Sequence, residues 1–125
     1  MNFKIDTKDA FYVIYLNTPE FTAKLAEELV EEVTKSQKEM TKSLVLNLEI
    51  VTSIEKSAIE SLNNLYGNTT EKRKSFVLCC MNQHVKESFF NANLLEKINY
   101  TPTESEAWDI VQMEEIEREL DTDFE

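Results

Sequence analysis

The residues of this 125-residue chain that could carry covalent chemistry are few. Cys80 and His84 straddle a predicted strand-to-helix turn, where a thiol and an imidazole could act as a nucleophile and its base. The alternative is that Cys80 is a small core residue, because free cysteine is among the most buried residue types, and that His84 lies exposed in a first helical turn. We favour this second interpretation.

Ser57 is the hydroxyl with the most informative surroundings. It follows the polar turn Thr52-Ser53-Ile54-Glu55-Lys56, and Glu60 comes three residues after it. Ser-x-x-Glu is a capping-box pattern, so we expect a helix to begin at Ser57. A strand that runs into a helix N-terminus is where an open α/β sheet usually places its ligand or partner surface. The function is therefore expected at this turn.

Phosphate loops, metal centres and acid–base catalysis are not expected. A Walker-type loop or a dinucleotide fingerprint needs several glycines, and Gly67 is the only glycine. A metal site needs convergent ligands, and His84 is the only histidine. The many carboxylates fall on predicted helix exteriors, where nothing would shift their pKa values. The sequence therefore predicts no cofactor, no metal and no enzymatic activity.

The charge of the chain is strongly negative and unevenly distributed. The formal net charge is −11, and the segment from Thr103 to the C-terminus holds ten acidic residues and one basic residue, a net charge of −9. Such a surface repels phosphate backbones and anionic membranes, so nucleic acid is not an expected partner. We favour a solvated helix face as the role of the acidic segment over a dedicated site for a basic partner.

Length and cysteine use indicate a single domain in a reducing compartment. A chain of this size can form one real core without disulfides or metals. Cys79 and Cys80 are adjacent, which is a poor arrangement for a disulfide. No apolar run approaches the ~20 residues of a membrane span, and the first residues do not resemble a secretory signal. We expect a cytoplasmic protein that does not insert into the membrane.

Hydrophobic periodicity predicts the element order β-β-α-β-α-β-α-β-α. The predicted strands lie at residues 3–6, 11–16, 44–48, 75–81 and 98–100. Runs such as 75–81 are apolar without alternation, which is typical of strands that are buried on both faces. The fold class predicted is α/β, with a mixed, mainly parallel sheet of four to five strands covered by about four helices.

Capping residues set the predicted helix boundaries. Thr18 and Pro19 are expected to open the first helix, and Gly67 to end the second. Asn82 is expected to cap the third helix, and Thr103 with Glu106 forms a second capping box. Past Met113 the apolar residues become sparse, so we predict a domain at residues 1–113 and an acidic helical extension at 114–125.

This arrangement resembles the STAS domain, the family of bacterial anti-sigma-factor antagonists and of cytoplasmic domains of sulfate transporters. The segment Leu44-Val45-Leu46-Asn47-Leu48 resembles the third strand of the family, which reads like LVLDLS. The segment 54–59 falls where the family carries an Asp-Ser-Ser-Gly-Leu motif, and 102–107 resembles the start of its last helix. The acidic tail from Met113 to Leu120 looks like tails of STAS proteins from Bacteroidetes-like bacteria.

The resemblance implies a partner and a site. In that family the first hydroxyl after the aspartate is phosphorylated by a partner that is both an anti-sigma factor and a kinase. Here Glu55 stands for the aspartate, Lys56 occupies the acceptor position and Ala58 replaces the glycine. Ser57 matches the second hydroxyl and becomes the acceptor if the register differs by one residue; otherwise it only caps. The implied partner-binding residues are Ser53, Glu55, Lys56, Ser57, Ala58, Glu60 and Ser61.

The resemblance and the acidic C-terminal segment lead to three hypotheses about function. The leading hypothesis is a non-enzymatic signalling module that binds an anti-sigma factor with a serine-kinase-like fold and so regulates transcription, with or without phosphorylation. The alternative is an accessory STAS subunit that binds a small ligand or serves lipid transport. The third is a self-associating protein, with a homodimer formed through the acidic C-terminal helix.

Overall fold

The longest apolar runs of the sequence form the centre of one sheet. In the computed structural model, which describes residues 2–37 and 42–123, seven strands and four helices are present among the described residues. The strands are β1 (Phe3–Thr7), β2 (Phe11–Leu16), β3 (Glu20–Phe21), β4 (Ser43–Asn47), β5 (Ser53–Ile54), β6 (Phe76–Cys79) and β7 (Asn99–Thr101). The helices are α1 (Ala23–Gln37), α2 (Lys56–Glu71), α3 (Gln83–Asn91) and α4 (Glu104–Asp123).

The main sheet has five strands in the order β1-β2-β4-β6-β7. Only the β1–β2 pair of this sheet is antiparallel, because a short turn joins the two strands; β2, β4, β6 and β7 run parallel. The mixed, mainly parallel sheet with four helices that the sequence predicts is therefore confirmed.

Alternate residues of the central strands supply the two faces of the core. Ile14, Leu46 and Leu78 belong to a cluster with apolar side chains of α1, α2 and α3. The intervening residues, such as Val45 and Val77, pack with α4 on the other face. Burial on both faces explains why these strands read as continuous apolar runs.

The start of the first helix differs from the prediction. The helix α1 begins at Ala23 and not at Pro19, and the Thr22 Oγ1 accepts a hydrogen bond from the Leu25 backbone N at 3.2 Å. The residues before it form β3, which pairs in parallel with β5. Strands of two residues are too short to give a periodic signal, so hydrophobic patterning could not reveal this small second sheet.

The limits of the second helix also differ. Glu55, and not Ser57, is the N-cap of α2, so the predicted capping box at Ser57 and Glu60 is wrong. The helix continues through Gly67 to Glu71, and the left-handed conformation after its end is adopted by Arg73, with φ of 61°. The residues 57–60 match a capping pattern. The helix nevertheless starts two residues earlier, because the pairing of β5 with β3 fixes the chain just before Glu55.

The caps of the two later helices are confirmed. The Asn82 Oδ1 accepts a hydrogen bond from the Val85 backbone N at 2.8 Å. The Thr103 Oγ1 accepts one from the Glu106 backbone N at 3.3 Å and donates one to the Glu106 Oε1 at 3.0 Å. Each polar side chain therefore satisfies an amide that the first helical turn leaves without a helical acceptor.

The last helix runs without a break past the predicted boundary at residue 113. The Asn99 Nδ2 donates to the Glu114 Oε2 at 3.3 Å, and the Arg118 Nη1 donates to the Ser75 Oγ at 3.2 Å. These bonds hold the segment beyond Met113 against the domain as far as Arg118. The division into 1–113 and an acidic extension 114–125 stays a prediction, and its residues 1, 38–41, 124 and 125 lie outside the described part of the chain.

Gly67 offers a test of the observed course of α2. A glycine in an exposed helix interior destabilises a protein by roughly 0.5–1 kcal/mol relative to alanine. A Cβ added at Gly67 would meet nothing within 4 Å. We therefore expect Gly67→Ala to raise the free energy of unfolding by about this amount, measured by urea denaturation. The exposed Glu31→Ala on α1 serves as a control and should change the stability by less than about 0.5 kcal/mol. Loss of stability in Gly67→Ala would contradict the helical assignment.

Candidate functional site

The connection between β4 and α2, residues 48–55, is held by hydrogen bonds from three neighbouring segments. The Thr52 and Ser53 backbone N atoms donate to the Pro19 carbonyl at 2.7 and 3.1 Å. The Leu48 backbone N donates to the Cys79 carbonyl at 3.0 Å, and the Asn82 Nδ2 donates to the Val51 carbonyl at 3.1 Å. The path of the chain into α2 is thus fixed by the rest of the domain.

Glu55 joins this connection to the first helix. Its backbone N donates to the Phe21 carbonyl at 3.0 Å, and its Oε1 accepts a hydrogen bond from the Ala23 backbone N at 3.2 Å. The carboxylate therefore lies at the N-terminus of α1, where the helix dipole favours a negative charge. Glu55 thus links the two helices: its side chain bonds to the start of α1, and its backbone occupies the N-cap position of α2 without a side-chain cap hydrogen bond.

We call residues 53–61 the α2 corner. The seven residues predicted to bind a partner lie together there, but they differ in accessibility. The exposed residues are Glu55, Lys56, Ser57 and Glu60. Ser53 and Ser61 are half-buried, and Ala58 is fully buried. Ala58 packs in the core with Ile59, so it supports the corner and cannot contact a partner directly.

Ser57 lies in the first turn of α2 with its side chain exposed. The backbone amides of a first helical turn have no acceptor within the helix, and the dipole makes this end positive. A phosphate on the Ser57 oxygen would therefore be electrostatically stabilised by the fold. It would change the charge presented to a partner without unfolding the domain.

A row of polar groups at the ends of the parallel strands was not predicted as a site. Tyr15, Asn47 and Cys79 occupy adjacent register positions on β2, β4 and β6. The Asn47 Nδ2 donates to the Glu104 Oε1 at 3.0 Å, and the Asn47 Oδ1 accepts from the Glu49 backbone N at 2.9 Å. The signal in the sequence was Asn47, a polar residue inside an apolar strand, which needed partners once buried.

The electrostatics of this row favour protonated, neutral groups. Burial, followed by a hydrogen bond with Glu104, raises the pKa of Tyr15 to about 12. Burial likewise raises the pKa of the Cys79 and Cys80 thiols. A raised pKa disfavours the thiolate, which is the nucleophilic form, and His84 is exposed on α3. The raised pKa values of the two thiols and the exposed position of His84 therefore favour a structural role for both cysteines over a Cys80–His84 nucleophile.

The described residues form neither a metal site nor a membrane-spanning helix, but they do line a groove. Within residues 2–37 and 42–123, no group of three or more His, Cys, Asp or Glu side chains is arranged to hold a metal ion. In the same part of the chain, no helix is both long and apolar enough to cross a bilayer. A groove of about 590 Å³ does lie between α1 and α2, and its lining includes Val30, Ser61 and Asn64.

A comparison with family models matches residues 2–107 to the STAS domain. The chain belongs to the STAS domain family. The matched region contains the whole of the main sheet, the α2 corner and the first turn of α4, and it ends before the rest of α4. A comparison with curated proteins finds no match.

Solved structures show the same STAS fold. A candidate anti-sigma factor antagonist from Thermotoga maritima has 22% sequence identity, with 88% of this chain and 94% of that chain covered and a TM-score of 0.76. The anti-sigma factor antagonist SpoIIAA in its unphosphorylated form has 18% identity, with 88% and 96% covered and a TM-score of 0.75. The murine anion transporter Slc26a9 has 13% identity, with 86% of this chain but only 18% of the transporter covered and a TM-score of 0.72.

The roles of Glu55 and Ser57 can be separated by stability measurements. We expect Glu55→Ala to lower the free energy of unfolding by about 1 kcal/mol, because the α1 N-terminus loses an acceptor. Ser57→Ala should change it by less than about 0.5 kcal/mol, because Ser57 caps neither helix. Urea denaturation of both variants tests this, with Glu55→Gln as a control that keeps an acceptor oxygen. If Ser57→Ala lowers the free energy of unfolding more than Glu55→Ala does, Ser57 would be the helix cap after all.

The Tyr15 phenol should titrate with a midpoint at about pH 12, above its ordinary value of 10.0. Since the folded state keeps this proton longer, its contribution to stability is complete below about pH 10 and is lost as the pH rises toward about 12. Ultraviolet absorbance of tyrosinate, native chain minus Tyr15→Phe, measures the midpoint. Glu104→Gln should lower it. A midpoint near 10 in the native chain would show that the polar row is open to water.

Proposed function

We propose that this STAS domain is a non-enzymatic interaction module that binds an anti-sigma factor with a serine-kinase-like fold. The binding surface is the exposed part of the α2 corner, and the outcome is regulation of transcription in the cytoplasm. The observation that supports this most is the exposure of Lys56 and Ser57 on a helix turn whose approach is held by the fold. A fixed, exposed surface loses little conformational freedom on binding.

The comparisons support the type of partner. SpoIIAA and the Thermotoga maritima protein, both described as anti-sigma factor antagonists, have the same fold over nearly their whole length. SpoIIAA also has a structure in a phosphorylated form, with a TM-score of 0.68 to this chain. Such antagonists by definition act on anti-sigma factors. A similar surface in the present chain is therefore expected to bind an anti-sigma factor.

Lys56 is the cation of the proposed interface, between the exposed carboxylates of Glu55 and Glu60. It is exposed, and the resemblance to the family places it at the position of the phosphoacceptor hydroxyl, where an amine does not accept phosphate in that chemistry. Its positive charge is opposite to that of a phosphoserine. The chain is therefore proposed to bind its partner without phosphorylation at this position, with Ser57 as the candidate regulatory hydroxyl next to it.

A second function is supported by the similarity to a transporter domain. The Slc26a9 anion transporter contains a region of the same fold, and the groove between α1 and α2 could hold a small ligand. This alternative is an accessory subunit in small-ligand or lipid transport. Native mass spectrometry of the purified chain that shows a retained lipid or nucleotide would favour it over the signalling module.

Charge reversal at Lys56 tests the proposed interface. The anti-sigma factors of the same organism are purified one by one, and their binding is measured by isothermal titration calorimetry. We expect Lys56→Glu to weaken the binding of the cognate factor by about tenfold or more, because an interfacial charge is reversed. Lys72→Glu, an exposed lysine at the other end of α2, should bind like the native chain. If the native chain, Lys56→Glu and Lys72→Glu bind the factor with equal affinity, the interface lies elsewhere on the domain. If the native chain binds none of the factors, the proposed function is contradicted.

The role of Ser57 is tested by incubation with the cognate factor and ATP. Peptide mass spectrometry is expected to locate a phosphate on Ser57 in the native chain and none in Ser57→Ala. Ser57→Glu should weaken binding, because it adds a negative charge to the interface. A phosphate on another residue, or none on the native chain, would contradict Ser57 as the regulatory site and leave partner binding through the α2 corner unaffected.

A further inference from the structure

The last helix carries an apolar stripe on the side that faces away from the domain. Met113, Ile116 and Leu120 are 55%, 57% and 51% exposed. Spacings of three and four residues place these side chains on one side of a helix. Ala107 and Val111, which are fully buried, lie on the opposite side and pack against the sheet. We call Met113, Ile116 and Leu120 the C-terminal stripe.

The structure fixes the direction in which the C-terminal stripe points. The bond from Asn99 to Glu114 and the bond from Arg118 to Ser75 attach the same part of α4 to the domain. A rotation that buried the stripe against the sheet would break both bonds. The stripe also lies beyond residue 107, where the match to the STAS domain ends, so the family likeness does not account for it.

Acidic side chains border the C-terminal stripe. Asp109, Glu117 and Glu119 are exposed on the same helix. The segment from Thr103 to the C-terminus has a net charge of −9. A second copy of this helix would bring two such charges together, and like charges in contact oppose association.

We propose that the C-terminal stripe binds a basic amphipathic helix of another protein. The apolar face of that helix would cover Met113, Ile116 and Leu120, and its lysines or arginines would pair with the flanking carboxylates. Nucleic acids and anionic lipid surfaces carry the wrong charge for this surface. The site is separate from the α2 corner, so it provides a second contact that does not depend on the proposed function.

The test uses the full chain and a defined probe. The probe is a fluorescently labelled peptide of leucine and lysine, with the leucines on one side of a helix, and its binding is followed by fluorescence anisotropy. A peptide of the same composition with shuffled leucines, and so without an apolar face, measures charge attraction alone. We expect the ordered peptide to bind more tightly than the shuffled one. The affinity should fall as salt rises, because exposed charges are screened.

Matched variants locate the site on the chain. Ile116→Ser with Leu120→Ser should weaken binding of the ordered peptide by about tenfold or more, because the apolar contact is lost. Phe90→Ser, which changes an apolar residue that is 68% exposed on α3, should have no effect. Glu117→Gln with Glu119→Gln should weaken binding several-fold, and Glu28→Gln with Glu31→Gln on α1 should not.

Three results would overturn the proposal. One is equal binding of the ordered and shuffled peptides; another is equal binding by the stripe variant and the native chain. The third is a dimer in sedimentation of the native chain that is lost in Ile116→Ser with Leu120→Ser, since the occupant would then be a second copy. Lys56→Glu should bind the peptide like the native chain, so failure at this site and failure at the α2 corner can be told apart.

Discussion

The hydrogen bonds that hold residues 48–55 determine what the domain presents to its surroundings. The Pro19 carbonyl accepts from two successive amides of this connection, and the Glu55 carboxylate accepts from the first turn of α1. These bonds replace water at the backbone polar groups of the loop that follows the central strand β4. As a result α2 starts at a fixed place and angle, with Lys56 and Ser57 exposed while Ala58 and Ile59 are buried beneath them. The proposed partner surface exists before any partner arrives.

The same edge of the sheet combines an open corner with a closed polar row. In a parallel arrangement the strands end, and the helices that follow them begin, on one side. At one part of this edge, Glu104 accepts hydrogen bonds from Tyr15 and Asn47; Asn47 is buried, and Tyr15 and Glu104 are half-buried. At the α2 corner the first helical turn stays exposed. The polar row therefore stabilises the fold, whereas the α2 corner is the surface proposed to bind a partner.

Much of the fold could be predicted from the sequence, because apolar runs such as Phe76 to Cys79 and side-chain caps such as Asn82 are local signals. The limits of α2 could not be predicted. The start of this helix is set by pairing of β5 with β3, about thirty residues away in the chain, and Gly67 is accommodated inside a helix that its neighbours stabilise. Ser57 lies in the exposed first turn of α2 but does not cap the helix, since a capping pattern carries no information on distant hydrogen bonds; its regulatory role stays a prediction. Glu104 could not be linked to Tyr15 for the same reason.

Amide hydrogen exchange measured by nuclear magnetic resonance tests most directly whether the corner is formed in advance. In the free protein, the amides of Thr52, Ser53 and Glu55 should exchange slowly, because each donates to a carbonyl of the 19–21 segment. The amides of Lys56 and Ser57, in the first helical turn, should exchange fast and become protected only when the proposed anti-sigma factor partner binds. Fast exchange at Thr52, Ser53 and Glu55 in the free protein, with protection gained only in the complex, would show that the corner forms on binding and would contradict this account.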